Sequence, residues 1–580
     1  MLANLGEICS IDVTLDIEYM SRRVEVEGDS FLTITLPTLA KALERGLEDG
    51  RWPVSKASSF RHLGRLPSFL RGFVTGIFDR SGVILADPDP DRIWAIRQFC
   101  YLTQKIEREC TPERREAAFN QFVATDRELA FLPKRIDNTL MESFLKTSML
   151  MFGELFQRCD NVIANWELVP KHGPGSVAES ITPEEKWNFG YWTERLEGVF
   201  PFWRYTQNVP RVFRHESPVP RWDEIPVRVI TVPKTQSTPR IISIEPSTVQ
   251  YAQQALKDEI YAEVSHSPLE GILGFTDQTR NQEMARLASS SGLFATLDLS
   301  EASDRVHWWL VSEMLKPFPH MRDYVLATRS ERADVPGHGI IPLFKFASMG
   351  SALTFPIEAI IFTTIAAMVV SAAEEYPASP RNLLGRLSVY GDDIIVPTDT
   401  VADVIDSLEH FGFKVNRHKS FWNGQFRESC GAEYFRGVDV SVVRLKQELP
   451  TSRRDAAELA SFVEFRNRLY ESGIWTILRE IDPFIRGLVR FAPSQDTSTA
   501  LTKKTFLPVD AVDRFNPDLH RPERRLPYLH GTTRVWYADD EVGLWKWFSE
   551  ANRRFAGDDR YDSEERPTAF SIYSRWTDRL

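Results

Sequence analysis

The sequence predicts an α+β fold in which an antiparallel sheet is covered by helices on one face. Residues 294–440 show a strand pattern, then an apolar helical stretch, then a hairpin pattern. Helical periodicity recurs upstream, in residues 88–108, 114–132 and 138–168. The chain has 580 residues, more than one hydrophobic core usually contains, so we expect several domains.

The composition indicates a globular protein of a reducing compartment. Hydrophobic residues make up 42% of the chain and aromatic residues 12%. The five cysteines form no C-x-x-C pair, which argues against a disulfide framework or a zinc ribbon. Acidic residues within the first 21 positions (Glu7, Asp12, Asp16) argue against a signal peptide. The net charge of −11 speaks against nonspecific binding to nucleic acid but leaves room for a local basic channel.

The run Leu387-Ser-Val-Tyr-Gly-Asp-Asp-Ile-Ile-Val-Pro397 has the pattern of a tight β-hairpin. Two apolar β-type runs meet at Gly391, which can adopt the positive φ of a two-residue hairpin turn. Asp392 and Asp393 would then lie at the tip of a buried hairpin. Adjacent carboxylates are costly there unless a cation is present, so the run is a candidate cation site. Gly-Asp is also an ordinary turn dipeptide, so a purely structural turn stays open.

A second acidic strand end lies upstream, in Leu293-Phe-Ala-Thr-Leu-Asp298. The apolar run 293–297 predicts a buried strand that delivers Asp298 at its carboxyl end. Ser300 is then predicted as a helix N-cap, with Glu301 as a solvated acid of the first turn. Carboxylates at two facing strand ends are what two-metal phosphoryl transfer needs, because paired ions brace both the attacking and the leaving oxygen.

Four segments follow one another in the order found in RNA-directed RNA polymerases. They are the Asp298 segment, Ser348-Met-Gly-Ser-Ala-Leu-Thr354, Tyr390-Gly-Asp-Asp393 and Phe426-Arg-Glu-Ser-Cys-Gly431. The chain most resembles the replicase β-subunit of single-stranded RNA bacteriophages, the leviviruses. The resemblance covers about residues 228–440, and several motifs in the right order are far more specific than any one.

The resemblance implies a right-hand polymerase with fingers, palm and thumb, which copies a viral RNA genome from NTPs and releases pyrophosphate. We expect the fingers in residues 1–225 and a fingers–palm junction with the NTP channel in residues 226–293. The palm is expected in residues 294–440, and the thumb with a C-terminal extension in residues 441–580.

The resemblance also implies two Mg²⁺ ions, for which Mn²⁺ can substitute. The expected catalytic and metal-binding positions are Asp298, Asp392, Asp393 and, through its backbone, Leu299. Oxygen-only ligands suit such hard cations. Lys419 fits the position of a lysine that protonates the departing pyrophosphate, although a surface lysine is the simpler alternative.

Phe426, Arg427 and Glu428 resemble the primer-grip turn that supports the end of the growing strand. Cys430 in the same turn is expected to be a small packed residue rather than a nucleophile, because no basic partner is fixed beside it by spacing.

The segment Val232-Pro-Lys-Thr-Gln-Ser-Thr-Pro-Arg-Ile-Ile-Ser-Ile-Glu-Pro246 resembles the family's nucleotide channel. Pro239 excludes a helix, so Lys234 and Arg240 are expected on a strand–loop–strand. Arg supplies a bidentate fork and Lys a point charge for a triphosphate. A solvated surface loop is the alternative. Arg329 and Arg332 are weaker candidates that are equally expected to be salt-bridged surface residues.

Asp304 is the candidate partner of the ribose 2′-hydroxyl. A reverse transcriptase commonly carries a bulky aromatic in this neighbourhood, where Ser303 and Asp304 are small or polar, and this favours ribonucleotides. The reverse transcriptase stays as one alternative function. A catalytically silent RNA-binding protein with a palm fold is another, although the intact carboxylates argue against it.

The run Ser348–Thr354 is expected near the nucleotide, through Ser348, Gly350 and Thr354. Ser351, Ala352 and Pro356 depart from the family pattern, so no template or ribose contact is assigned to Ser351. Pro is tolerated in a first helical turn. The following apolar stretch, Ala359–Ala373, has 15 residues and is too short to span a bilayer, so we expect a core helix.

The resemblance implies partners as well: template and product RNA, NTPs, and the host elongation factors Tu and Ts with ribosomal protein S1, in the cytoplasm of an infected bacterium and without a membrane. The chain is acidic, so a partner that guides RNA would offset its own repulsive field. Aromatic residues within Trp187–Trp203 and Trp536–Trp547 are candidate docking surfaces, and core packing explains any single one equally well.

Overall fold

The computed structural model describes residues 1–183, 185–206, 218–495, 500–509, 511–532, 544 and 569–578. These residues form many helices around small, mostly antiparallel sheets, which confirms the α+β class.

The N-terminal region is a mainly helical unit. Its elements are α1 (Leu2–Ile8), α2 (Thr14–Glu27), α3 (Leu36–Asp49), β1 (His62–Leu63), β2 (Leu66–Pro67), α4 (Arg71–Val74) and α5 (Pro90–Tyr101). Helix α3 has Pro37 in its first turn and ends at Gly50 in the left-handed conformation, as such termini usually do. The core of this unit also contains Phe421, Phe426 and Phe435, so it packs against a much later part of the chain.

Four further helices precede the first long strands. They are α6 (Pro112–Leu129), α7 (Asn138–Ala164), α8 (Glu194–Val199) and α9 (Phe202–Tyr205). Thr111 and Asp137 cap α6 and α7 by accepting backbone N–H groups. Helices α5, α6 and α7 confirm the three predicted helical stretches.

The aromatic connector between these helices is largely packed. Trp187 and Trp192 are buried, which favours core packing over an exposed docking surface for these two residues; they pack beside Tyr251 and Phe200. Trp203 is 58% exposed and stays a candidate. The stretch 536–547 lies outside the described residues apart from Leu544.

The middle of the chain builds two sheets. Its elements are β3 (Val227–Val232), β4 (Arg240–Ile244), α10 (Ser247–Ser265), α11 (Thr279–Ser291), β5 (Phe294–Leu297), α12 (Trp308–Met314), α13 (Pro319–Ala327), β6 (Arg332–Val335) and β7 (Gly339–Pro342). Strands β4, β3, β6 and β7 form one sheet in this order. The predicted strand–loop–strand around Lys234 is therefore confirmed.

One local prediction in this region is wrong. The helix after Asp298 does not begin at Ser300: residues Ser303–Arg305 form a single 3₁₀ turn, and α12 begins at Trp308. The side chain of His307 accepts the Trp309 N–H and is the actual N-cap. Glu301 has a φ of +56° and accepts hydrogen bonds from Thr125 and Arg305, so it is not simply solvated.

The next elements carry the predicted hairpins. They are α14 (Thr354–Ala373), α15 (Pro380–Leu383), β8 (Ser388–Tyr390), β9 (Asp393–Pro397), α16 (Val401–His410), β10 (Phe426–Ser429), β11 (Ala432–Phe435) and β12 (Val438–Asp439). The sheet order β5-β9-β8 is antiparallel throughout. Strands β10, β11 and β12 form a separate antiparallel sheet.

Helix α14 is the central helix of the largest core. It has 20 residues, because it begins at Thr354 and includes Pro356 in its first turn before the predicted apolar stretch Ala359–Ala373. Among the described residues it is the helix long and apolar enough to cross a membrane, with a mean hydropathy of 1.9, but 78% of the apolar window is buried inside the protein. It packs between α7 and α16, as expected of a core helix.

The C-terminal region has its own smaller core. Its elements are α17 (Ala456–Glu471), α18 (Leu478–Leu488), β13 (Pro493–Ser494), β14 (Lys503–Lys504), β15 (Arg514–Asn516), β16 (Arg521–Thr532) and β17 (Ala569–Thr577). Two basic residues of this region form ion pairs with the same acid: Arg466 is buried against Asp482, which Lys503 also contacts. The four-region division stays a prediction; residues 1–225 contribute to two large cores rather than one.

Candidate active site

The β8–β9 hairpin has the predicted two-residue turn. Tyr390 pairs with Asp393, which leaves Gly391 and Asp392 as the turn. Gly391 has a φ of +60°, and a Cβ there would lie 2.5 Å from Phe355 Cε2. Glycine is therefore required twice, by backbone conformation and by the close approach of α14. The tight turn presents Asp392 at the tip.

The strand β5 brings Asp298 to the same end of the sheet. Leu297 pairs with Ile394, so Asp298 and Asp393 continue the same antiparallel register. Asp298 accepts hydrogen bonds from Asn416 Nδ2 (2.8 Å) and Lys419 Nζ (3.3 Å). Asp393 accepts the Cys430 backbone N–H at 3.1 Å. Three predicted acids thus lie at one end of the sheet.

The negative charges of Asp298, Asp392 and Asp393 repel one another. Burial, together with Asp392 and Asp298, raises the pKa of Asp393 to about 7. Burial and Asp298 also raise the pKa of Asp392. Like charges this close disfavour ionisation unless a cation compensates them. The arrangement is costly for a protein alone and suited to a cation.

A fourth acid, Glu358 on α14, was missed from the sequence. Burial and the charges of Asp392 and Asp304 raise its pKa well above the ordinary value. Its Oε2 is buried without a hydrogen-bond partner among the described residues. Glu358 follows Thr354 by four residues, which places both on the same face of a helix. This spacing was the available sequence signal, but the residues around Glu358 are apolar and indicated only a core helix.

The donor set suits Mg²⁺ in chemistry but is not preassembled. In the part of the chain that the structure describes, no three Asp, Glu, His or Cys side chains are grouped to hold a metal ion. Asp298 is turned towards Asn416 and Lys419 instead. Mg²⁺ is commonly held by one or two carboxylates together with substrate phosphates. The two-ion assignment, including the backbone of Leu299, therefore stays a proposal.

Cations gather opposite the acids. Burial, Arg240 and Lys419 lower the pKa of Lys234, while Asp298 and Asp392 oppose that effect. Burial disfavours the charged form of Lys419, but the carboxylates of Asp298 and Glu428 outweigh it and raise its pKa. The side chains of Lys234 and Arg240 are exposed towards solvent. The predicted basic segment and acidic motifs thus face the same space.

Lys105, which no motif marks, lies near this group. Burial, Arg444 and Lys419 lower its pKa, and Glu428 opposes the change. It follows α5 in an irregular segment, so nothing local in the sequence places it beside motifs more than 300 positions away. Only the packing of the N-terminal unit does so.

The loop between Lys234 and Arg240 is held from outside. Arg114 on α6 donates to the Gln236 carbonyl oxygen at 2.8 Å, and Cys110 Sγ contacts the Thr235 carbonyl oxygen at 3.2 Å. The Thr33 hydroxyl also donates to the Gln236 side chain. These contacts fix the basic loop without using its cations.

The segment around Ser348 builds the side of the site next to Asp304. Ser348 Oγ donates to Asp304 Oδ1 at 3.0 Å, and Thr354 Oγ1 donates to the Ser348 carbonyl oxygen at 2.7 Å. Gly350 has a φ of +130°, and a Cβ there would lie 2.0 Å from the Ser243 carbonyl oxygen. Gly350 therefore permits a close backbone approach to β4.

The predicted primer grip needs correction. Phe426 and Arg427 are fully buried, so their side chains cannot contact an RNA strand in this structure. Arg427 donates to the carbonyl oxygens of Phe294, Gly424 and Trp422, and so ties β10 to β5. Glu428 is half-buried near Lys419, and burial with Glu433 raises its pKa to about 8. Its RNA role stays a proposal.

The last three residues singled out in the sequence are Arg329, Arg332 and Cys430. Arg329 is not a surface residue: it is buried and donates to the Lys345 carbonyl oxygen. Arg332 donates to the Glu224 carbonyl oxygen. Neither faces the acids. Cys430 is half-buried, and burial with Asp393 raises the pKa of its thiol, which agrees with a packed, unreactive residue.

Comparison with known proteins agrees with these motifs. Residues 223–474 match the family model described as RNA replicase, beta-chain. The chain is 35% identical over 256 residues to the RNA-directed RNA polymerase subunit beta of Enterobacteria phage SP, covering 43% of this chain and 40% of that protein. It is 36% identical over 224 residues to the corresponding subunit of Qbeta virus strain MX1, covering 38% and 36%.

The chain therefore spans about two fifths of the length of the curated relatives it matches. Among solved structures, the RNA-dependent RNA polymerase of a human picorbirnavirus aligns over 45% of this chain and 55% of that chain, at 11% identity and a TM-score of 0.34. A score this low supports no inference. The sequence matches confirm the levivirus replicase resemblance over the segment that holds the acids and cations.

Proposed function

We propose that this protein is an RNA-directed RNA polymerase that copies a single-stranded RNA genome of a bacteriophage from NTPs. One observation supports this most: Asp298, Asp392 and Asp393 meet at one end of a sheet, opposite Lys234 and Arg240, inside the segment that matches the replicase family. A hairpin turn with a purely structural role would not require acidic residues and a basic segment near each other.

In the proposed reaction, the 3′-hydroxyl of the growing strand attacks the α-phosphorus of an NTP. The new P–O bond forms as the bond to the bridging oxygen of pyrophosphate breaks. Two Mg²⁺ ions, when bound, would supply charge stabilisation for the attacking and leaving oxygens. Asp298 and Asp392 would hold them, with Asp393 and the Leu299 backbone in support.

The chain's own cations handle the triphosphate. Lys234 and Arg240 are proposed to bind its phosphates, because both are exposed and Lys234 lies near enough to Asp298 and Asp392 for their charges to act on its pKa. Lys419, whose Nζ lies 3.3 Å from Asp298 Oδ1, is the proposed proton donor to the departing pyrophosphate. Asp304, with Ser348, is proposed to accept the ribose 2′-hydroxyl.

The test is incorporation of labelled nucleotide by the purified chain on an RNA template with Mg²⁺. Incorporation of NTPs, abolished in Asp392→Asn, is expected. Preferential incorporation of dNTPs would instead identify a reverse transcriptase. RNA binding without incorporation of either, also after addition of host factors, would identify a catalytically silent protein.

Host factors form a separate part of the proposal. We infer that elongation factors Tu and Ts, with ribosomal protein S1 on some templates, assist the chain in the cytoplasm of an infected bacterium. The net charge of −11 disfavours unaided capture of a polyanion, and Trp203 and Trp222 are 58% and 72% exposed. The chain should co-purify with Tu and Ts from a bacterial lysate. Full processive synthesis by the chain alone at physiological salt would contradict this dependence.

A further inference from the structure

Lys345, between β7 and α14, has a completely buried side chain. Its Nζ lies 3.1 Å from Asp304 Oδ1 and 3.4 Å from the ring centroid of Phe122 on α6. An ammonium group is costly to bury unless an opposite charge and hydrogen bonds compensate it. Burying the Lys345 ammonium group costs free energy, and its carboxylate partner Asp304 is partly exposed. This combination indicates that the pair has a functional role.

The backbone of Lys345 is fixed as firmly as its side chain. Its N–H donates to Asp126 Oδ1 at 2.9 Å, and its carbonyl oxygen accepts from the buried Arg329. Asp126 lies one helical turn after Phe122 on α6. The same helix therefore positions both ends of Lys345, and the ammonium has little freedom to move.

Asp304 is held by one oxygen and open at the other. Its Oδ1 accepts from both Lys345 Nζ (3.1 Å) and Ser348 Oγ (3.0 Å). Its Oδ2 has no hydrogen-bond partner among the described residues, and the side chain is 21% exposed. A carboxylate oxygen with free lone pairs accepts hydrogen bonds from a hydroxyl group.

We propose that Lys345 is a positioning residue for ribose selection: it fixes Asp304 so that the free carboxylate oxygen accepts the 2′-hydroxyl of the incoming nucleotide. This inference rests on the proposed polymerase function. A site built around a substrate hydroxyl rejects the analogue that lacks it, because its polar group is then left unpaired. A carboxylate that could rotate away would lose this discrimination.

The experiment measures kcat and KM for single-nucleotide extension with an NTP and with the matching dNTP. Lys345→Met removes the ammonium group and keeps an unbranched side chain that is one atom shorter. We expect the NTP-to-dNTP ratio of kcat/KM to fall about tenfold or more, the factor for losing one hydrogen bond to a charged group. The loss should appear mainly in KM for the NTP, since the dNTP makes no such contact.

Lys345→Gln is the second variant, because it keeps a neutral donor and serves if the Met variant does not fold. Its ratio should fall less. Lys316→Met, an exposed lysine paired with Glu313, is the matched control and should leave the ratio unchanged. A folded variant at position 345 that slows both substrates equally, with the ratio intact, would overturn the inference and leave Lys345 a structural residue. If the wild-type chain incorporates neither substrate, the polymerase proposal itself fails instead.

Discussion

The β8–β9 and β10–β11 hairpins both have two-residue turns, but their charged side chains differ in burial. The β8–β9 hairpin leaves Asp392 and Asp393 partly exposed, whereas the β10–β11 hairpin buries Phe426 and Arg427 completely, with Phe426 in the core of the N-terminal unit. Both motifs occur in polymerase order, yet only one displays its charges. A motif therefore locates a segment, and the elements packed against it decide which side chains reach the substrate.

The largest expected effect is the loss of catalytic activity when an acid of the β8–β9 hairpin is replaced. Asp392→Asn should reduce elongation by roughly a thousandfold or more, because the proposed cations would stabilise most of the transition-state charge. Its thermal midpoint in EDTA should not fall, since one of several crowded carboxylates is neutralised. Rapid-quench extension and a thermal melt measure the two quantities. Near-normal elongation would remove Asp392 from the site.

The second hairpin should respond in stability instead. Arg427→Met leaves several buried carbonyl oxygens without their donor, at a cost of about 3–5 kcal/mol in the free energy of unfolding. Chemical denaturation measures it. Arg286→Met, exposed on α11 and paired with Glu283, is the control and should change stability by less than about 0.5 kcal/mol. Normal stability with lost RNA binding would restore the primer-grip role of Arg427.

A pH dependence should mark the acidic hairpin. The raised pKa of Asp393, about 7, lets the folded chain keep a proton that the unfolded chain has released. In EDTA, stability is thus greatest below about pH 4 for this group and is lost as pH rises through about 7. Between those values, the thermal midpoint of the wild type should decline more than that of Asp393→Asn. Parallel pH profiles for the two proteins would contradict the shift.

The smallest effects come from the two turns. Gly391→Ala combines a φ of +60° with a 2.5 Å approach to Phe355, so it should lower both stability and elongation. Gly431→Ala has a φ of +75° but no heavy atom within 4 Å of the added Cβ. It should cost about 1 kcal/mol in the free energy of unfolding and leave elongation unchanged. Equal elongation in the two variants would show that the close packing at Gly391 is unimportant for the site.

Local sequence was enough to predict the acidic hairpin. The apolar runs around Gly391 specify strand and turn through steric preferences of neighbouring residues, and they place Asp392 in the turn and Asp393 at the first strand position after it. The same holds for the strand before Asp298. The start of α12 was mispredicted because Ser300 offers a cap as good as the one His307 provides.

By itself, then, the sequence determined the strands, the turns and the order of the charged segments, since these depend on residues a few positions apart. Only the tertiary structure decided that Arg427 is buried, that Lys105 lies near Lys419, that Glu358 lies near Asp392, and that Lys345 pairs with Asp304. These outcomes depend on contacts across large sequence separations. Strand alternation assigns a side chain to a face but not what covers that face.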